Sequence, residues 1–551
     1  MTSEAVIVDG YVDEPACLGV PPYISPYIRT CAGLLKEHGI DSDYVTVDEL
    51  RKNPLLVTQL RSYKYVVMIA GVTVPGKYLA GTPATISELQ QIGFQLKDKT
   101  VSFLGGPISF GYSPEGGEKA VKNDVPGWSF MLRGEPAAAL DSYFSGGEAE
   151  GVLSYTDFDR WAVLGAEIIK KHPMYPHVML ELETARGCSR SITGGCSFCT
   201  EPFYGMPRQR EISGIAGEVK ALFDAGAVHF RLGRQPDILS FGVSGGEFPT
   251  PDGNILRKLF GEICTAAPNL ETLHIDNVNP GTIAHHPDAA RDALSAIVEG
   301  HTPGDIAAFG VESADPVVIS ANNLKGSPDE IFSAVEIVNE IGAARRDGVP
   351  ELLPGLNFIS GLAGESPATF ELNKAFLKKI FDAGLLVRRV NIRQLMPFEG
   401  TRAYENNTIG AHDKLFQSFK ESVRSSFDVM MLQRVFPVGT VLKNVHIEVS
   451  GVVSFGRQMG TYPILVGIPQ NLAVGTILDC AVVSFGARSV TALPVPIEIN
   501  ELPHTVLKWL PGVSKKVLPK IIAKRPFADA GALKKVIGSD AVNPLIPLMK
   551  F

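Results

Sequence analysis

The sequence is 551 residues long, 45% hydrophobic and 20% charged, with a formal net charge of −8. A chain of this size and balance buries an ample core and divides into several domains, which excludes a disulfide-stapled miniprotein or a disordered polyanion. No run approaches eighteen uninterrupted apolar residues and the N-terminus lacks a basic stretch followed by an apolar one, so a cytoplasmic protein without membrane association is expected.

Residues 1–150 alternate short β-type runs with helical stretches. Ala5–Val8, Tyr44–Val47, Tyr65–Ala70 and Val101–Leu104 read as strands of a parallel doubly wound α/β sheet, with a ligand crevice at their carboxyl ends. The residues that follow them are Gly10, Tyr11, Gly71, Thr73, Gly105, Gly106 and Pro107, and Gly134 and Glu135 precede the next helix. Glycine there admits close approach of a ligand or serves a tight turn. Residues 151–172 read as a helical linker. From 173 to 430 strand and helix repeat at barrel spacing, with strands Val178–Glu183, Val228–Leu232, Thr272–Ile275, Ile306–Val311, Gly355–Ile359 and Arg389–Leu395.

Three of the seven cysteines, Cys188, Cys196 and Cys199, follow the first of these strands with C-x7-C-x2-C spacing. The clustering reads as cofactor ligation in a reducing compartment rather than a disulfide framework. Three thiolates on one loop do not complete a four-cysteine shell unless Cys17, Cys31, Cys264 or Cys480 joins them. The readings left open are a cluster with one open iron and a zinc site completed by histidine.

Residues 431–500 change character. Two similar strand starts, Val438-Gly-Thr-Val-Leu442 and Val474-Gly-Thr-Ile-Leu478, bracket a glycine-rich, β-branched run that reads as a small OB- or TRAM-like β-barrel. Residues 501–551 carry a net charge of +6, leaving −14 on the rest. Leu510-Pro-Gly-Val-Ser-Lys-Lys516 and the helical runs after it resemble a helix-hairpin-helix unit, a basic surface able to hold nucleic acid or an acidic protein.

The cysteine run resembles the cluster loop of radical S-adenosylmethionine (SAM) enzymes, commonly C-x3-C-x-aromatic-C, with Phe198 at the aromatic position and four extra residues between the first two cysteines. Phe309–Asp315, Phe358–Glu365 and Pro397–Thr401 resemble the strand-end segments of the same family. The resemblance implies a partial (β/α) barrel, a 4Fe-4S cluster on Cys188, Cys196 and Cys199, and SAM beside Phe198, Gly233, Glu312, Ser313 and Arg393. Residues 5 to about 150 resemble the cobalamin-binding domain of a large class of these enzymes, without the Asp-x-His-x-x-Gly motif that supplies an axial histidine. That implies cobalamin against Gly10, Tyr11, Gly71, Thr73, Gly105, Gly106, Pro107, Gly134 and Glu135, with its tail running past Gly105 and Gly106.

The domain order resembles an archaeal family of cobalamin-dependent radical SAM enzymes that includes a glutamine C-methyltransferase of methyl-coenzyme M reductase. It implies a C-methyltransferase with a protein substrate and a low-potential donor such as ferredoxin or flavodoxin. The alternative is a radical SAM enzyme that modifies tRNA, held by the small barrel and the basic C-terminus.

Overall fold

The computed structural model describes residues 3–14, 17–71, 81–113, 116–122 and 125–551. At the N-terminus, β1 (Ala5–Asp9), β2 (Ser42–Thr46), β3 (Tyr65–Ile69), β4 (Val101–Gly105) and β5 (Phe130–Met131) form a parallel sheet in the order β2-β1-β3-β4-β5. β1 and β3 are covered on both faces, which is why they read as unbroken apolar runs. The covering helices are α1 (Pro26–Glu37), α2 (Ile86–Leu96) and α3 (Pro136–Phe144). Proline opens α1 and α3, and a Thr85–Glu88 capping box opens α2. This strand order reverses direction between β1 and β3, the place where such sheets bind ligands.

Residues 151–172 are packed rather than a free linker. Helix α4 (Tyr155–Leu164) buries Phe158 and Trp161, three residues apart on one face. It lies so close to α1 that a Cβ on Gly33 would stand 1.8 Å from the Trp161 carbonyl oxygen.

The central unit is a partial barrel of parallel strands: β6 (Met179–Glu183), β7 (His229–Arg234), β8 (Thr272–Ile275), β9 (Asp305–Glu312), β10 (Leu352–Ser360) and β11 (Arg389–Gln394). A bridge between Asn277 and Ala308 joins its two halves. Helices α5 (Ile212–Asp224), α6 (Gly253–Ala266), α7 (Pro287–Gly300), α8 (Pro328–Gly342) and α9 (Pro367–Asp382) alternate with the strands, followed by α10 (Asp413–Ser422). The free edge of β6 is extended by Tyr23–Ile24 from the N-terminal region. One apolar core runs from Ile7 and Phe103 through Leu180, Phe230 and Phe309 to Leu442 and Val466, so a border at residue 150 divides no core.

The small barrel closes through β12 (Val441–Val449), β13 (Ser454–Arg457), β14 (Leu465–Ile468), β15 (Ile477–Phe485) and β16 (Ser489–Pro494), in the order β12-β13-β14-β16-β15. Only β14 and β16 run parallel, a five-stranded Greek-key arrangement of OB type. Its loop between β13 and β14 enters the floor of the large barrel. There the Thr461 amide donates to His274 Nδ1 at 2.9 Å, Tyr23 donates to the Gly460 carbonyl at 2.6 Å, and the Arg389 guanidinium lies 3.9 Å from the Tyr462 ring centroid.

In the C-terminal segment the first helix of the expected hairpin is one turn, His504–Leu507. A tight turn at Gly512 (φ +82°) and helices Leu518–Lys524 and Ala530–Ile537 follow. Leu507, Leu510, Ile521, Leu533 and Ile537 pack on Ala481, Val483 and Leu493 of the small barrel, leaving Lys515, Lys516 and Lys520 to water. Among the described residues, no helix is long and apolar enough to cross a membrane.

Candidate cluster and cofactor site

The loop after β6 leaves and returns through a short antiparallel ribbon, Ala185–Arg186 against Arg208–Gln209, and Cys188, Cys196 and Cys199 lie between. The residues that lengthen the first cysteine spacing form a single 3-10 turn, Ser189–Thr193, ended by Gly194 in the left-handed conformation. Their exposed carbonyls have partners from remote parts of the chain. Arg402 donates to the Gly195 and Gly194 carbonyls at 2.7 and 3.0 Å, and Asn323 Nδ2 donates to the Gly195 carbonyl at 3.0 Å.

Arg190 sits at the centre of the loop. It donates to Cys196 Sγ at 3.1 Å, to Glu247 at 2.8 Å and to the Leu324 carbonyl at 3.3 Å. The guanidinium fixes the position of that sulfur. Burial pushes the Cys188 thiol up to about 11 and the Cys199 thiol well above its ordinary value. Ligation to iron reverses this, because a coordinating thiol is deprotonated outright. Among the described residues, no three His, Cys, Asp or Glu side chains are spaced to hold a single metal ion. Phe198 is half-buried against Val318, Leu324, Leu362, Leu395 and Ala403, a greasy wall beside the last two cysteines.

Across the barrel mouth, β9 ends in Glu312, a non-glycine residue held at φ +61°. Such a conformation costs about 1–3 kcal/mol and persists where its surroundings impose it. The carboxylate is 6% exposed, and its Oε2 has no hydrogen-bond partner. Burial pushes Glu312 up to about 7, against the opposing charges of Lys325 and Arg393. Lys325 Nζ and Glu312 Oε1 both hang over Gly310, where a Cβ would stand 2.5 and 2.4 Å from them. Ser313 lies beside this group, but its hydroxyl is engaged by the Asp315 amide at 3.1 Å.

Gly233 answers to a constraint within the chain itself. A Cβ there would stand 2.1 Å from Glu181 Oε1 and 2.4 Å from Arg231 Nη1, so glycine makes room for a buried ion pair. That pair continues: Arg231 Nη1 holds both Glu181 oxygens at 2.7 Å, and Arg231 also pairs with Asp276.

The N-terminal sheet brings Gly10, Tyr11, Gly71, Gly105, Gly106 and Pro107 together at one end. The Gly10 amide donates to Ile69, the Gly71 amide to Tyr11 and the Ile108 amide to Ala70. Thr73 lies outside the described residues. At Gly106 (φ +101°) a Cβ would stand 2.7 Å from the Ala70 carbonyl oxygen, so the chain itself requires glycine and a leucine would strike backbone before any ligand. The side chain of Leu132 occupies the same space beside Gly105.

This end of the sheet faces the cluster loop, with the Phe110 ring 5.6 Å from Phe203 and 5.2 Å from Tyr204. Gly134 pairs with Gly151 and lies two residues beyond Leu132, whose side chain packs on Gly105. Glu135 is buried in an ion pair with Arg186, which also binds Glu183 at 2.8 Å. Glu14 completes the seam, accepting from Tyr204 at 2.9 Å and Tyr27 at 3.1 Å. Asn323 and Lys325, from the loop before α8, and Arg402, from beyond β11, escape a sequence reading because they reach the site from remote parts of the chain. The one local signal is Arg190, inside the cysteine run.

No family model matches the sequence. The chain is 39% identical to an uncharacterized protein of Archaeoglobus fulgidus, over 98% of each chain. It is 42% identical to an uncharacterized protein of Methanocaldococcus jannaschii, over 89% of this chain and 93% of the relative. The chain belongs to this archaeal family. Among solved structures it is similar to TsrM, a radical S-adenosylmethionine methyltransferase from Kitasatospora setae with cobalamin and a 4Fe-4S cluster bound, at 13% identity and a TM-score of 0.47, covering 73% of this chain and 77% of that one. It is also similar to OxsB, a cobalamin-dependent S-adenosylmethionine radical enzyme with aqua-cobalamin bound, at 13% identity and a TM-score of 0.44, covering 76% and 56%.

Proposed function

We propose that this archaeal protein is a cytoplasmic, cobalamin-dependent radical SAM C-methyltransferase acting on an unactivated carbon. One observation carries the reading: a single loop bearing three cysteines opposes a buried carboxylate, Glu312, that has an unpartnered oxygen and cationic neighbours in Lys325 and Arg393. The residues present fit the implied groups. Cys188, Cys196 and Cys199 would hold three irons of a 4Fe-4S cluster. Glu312 suits the ammonium of SAM, and Lys325 and Arg393 its carboxylate. The glycine loops at the end of β1, β3 and β4 suit a cobalamin held through backbone without a histidine ligand. When bound, these groups supply one-electron cleavage of SAM and a methyl donor for the resulting substrate radical.

The chain's own residues orient and shield. Arg190 fixes the Cys196 sulfur, Arg402 and Asn323 pin the lengthened loop, and Phe198 with its apolar neighbours keeps water from the cysteines. Phe110, Phe203 and Tyr204 couple the sheet's ligand end to the cluster loop, so the two proposed cofactor sites face one another.

The acceptor to assay first is a glutamine Cα in methyl-coenzyme M reductase, the substrate suggested by domain order, with reduced ferredoxin or flavodoxin as donor. A second reading, modification of tRNA, is favoured by the OB-type strand order of the small barrel and the exposed lysines of the C-terminal segment. Equilibrium dialysis of folded, cluster-loaded protein with cobalamin separates them. The methyltransferase reading requires uptake, with a cob(II)alamin paramagnetic resonance spectrum free of splitting from a lower nitrogen. Absence of uptake overturns it and favours the tRNA reading.

A further inference from the structure

Most deeply buried arginines of this protein meet carboxylates: Arg29 and Arg210 share Glu218, Arg186 lies between Glu135 and Glu183, Arg231 between Glu181 and Asp276, and Arg234 between Glu14 and Glu201. One group departs from that rule. Arg388, just before β11, and Arg389, its first residue, are half-buried side chains. Their Nε atoms are shut off from water and have no hydrogen-bond partner. Aromatic rings cover them, Phe436 at 4.9 Å from the Arg388 guanidinium and Tyr462 at 3.9 Å from that of Arg389.

Two further arginines converge on the same seam. Arg424 lies in a π-helical turn, Val423–Asp428, and Arg488 in the loop between β15 and β16. π-turns of this kind recur at functional sites. Among the described residues, no carboxylate lies at ion-pair distance from any of the four. The acidic groups that face them are the buried Asp428 and, on the side of Arg389, Asp276, which Arg231 already pairs; a surface pocket of about 390 Å³ lined by Gln417, Lys420, Glu421, Arg424, Ser425 and Ala487 opens beside Arg424.

We propose that Arg388, Arg389, Arg424 and Arg488 form a binding site for a phosphate group at the seam between the catalytic barrel and the small barrel. Four guanidiniums against Asp428, with Asp276 already paired to Arg231, leave an excess of positive charge, which suits a dianion better than a single carboxylate. Guanidinium forks match phosphate oxygens in geometry as well as charge. Burial, with repulsion from Arg488, pushes Arg388 and Arg389 down to about 10. The site is distinct from the cysteine loop: Arg389 stands four residues, about 13 Å of strand, below Arg393 at the barrel mouth. The inference does not depend on the methyltransferase reading.

Titration calorimetry on the full chain, at ionic strength held constant with chloride, tests it with inorganic phosphate, glycerol 1-phosphate and acetate. Saturable binding of inorganic phosphate or of the monoester is expected, with acetate inert. Binding of the monoester alone assigns the site to a phosphorylated organic molecule, and binding of both admits the free ion. Arg424→Gln combined with Arg488→Gln, both exposed positions, should weaken binding about tenfold or more while melting of the phosphate-free protein is unchanged or raised. Arg389→Gln provides a second variant from the inner wall. No saturable binding, equal binding of acetate, or undiminished affinity in both variants overturns the proposal.

Discussion

The two halves of the large barrel treat charge in opposite ways. On β6 to β8 and the elements around them, buried guanidiniums and carboxylates are matched: Glu181, Arg231 and Asp276 form one chain, and Glu218 bridges Arg29 and Arg210. On β9 to β11, Glu312, Arg388 and Arg389 have no ion-pair partner among the described residues, whereas the groups of the first half that carry an unpartnered atom, Arg29, Arg210, Arg234 and Asp276, each have one. Unpaired buried charge is costly, so a fold keeps it only where something else makes up the loss. The first half is therefore read as scaffold and the second as the wall that faces ligands, with the cysteine loop bridging them.

The comparison can be broken most completely at the loop itself. Replacing Cys188, Cys196 and Cys199 together by alanine should reduce bound iron from about four per chain to none and abolish 5′-deoxyadenosine formation. Iron analysis and product chromatography read both.

A scaffold residue should instead cost stability. Glu218→Ala leaves Arg29 and Arg210 buried without their shared partner and should cost about 3–5 kcal/mol in denaturant unfolding. The protein that remains folded should bind SAM unchanged. A loss below about 1 kcal/mol would erase the distinction between the halves.

At Glu312 the expectation reverses. Glu312→Gln should weaken SAM binding about tenfold to a hundredfold, the worth of a hydrogen bond to a charged group, with iron retained. Its folded carboxyl is raised from an ordinary 4.5 to about 7, so the folded state holds the proton more tightly. That contribution to stability is full below pH 4.5 and is lost as pH rises through 7. The variant does not titrate there, so at pH 8 it should exceed the parent by an amount on the order of 3 kcal/mol, and the difference should vanish near pH 4.

The smallest effect is expected outside both halves. Arg402→Ala removes two hydrogen bonds to the lengthened loop and should weaken iron retention under chelator challenge by about 1–3 kcal/mol, leaving the melting transition unchanged.

The sequence made some of this legible and hid the rest for identifiable reasons. The barrel strands were visible because their apolar runs are short, turn-bounded and regularly spaced. β9 and β10 extend further than composition indicated, since Asp305 and Leu352–Pro354 lie in the ladder between the two strands and Asp305 is also held by His301 at 3.0 Å. The cysteines were visible because three ligands share one loop. Asn323 and Arg402 were not, because no local pattern marks a residue whose partner lies more than a hundred positions away. The glycines after β4 were read as ligand contacts, whereas Gly106 answers to the Ala70 carbonyl. The Thr461–Tyr462 plug had no signal at all, since the loop between β13 and β14 is defined by where the small barrel docks.

The most direct test of the account is paramagnetic resonance of the anaerobically reconstituted, reduced protein before and after addition of SAM. The account predicts a reduced 4Fe-4S signal that SAM shifts in the parent chain, and that in Glu312→Gln shifts only at about tenfold higher SAM or more. A cluster signal that SAM leaves unchanged, or a protein that takes up a single zinc and no iron, would contradict it.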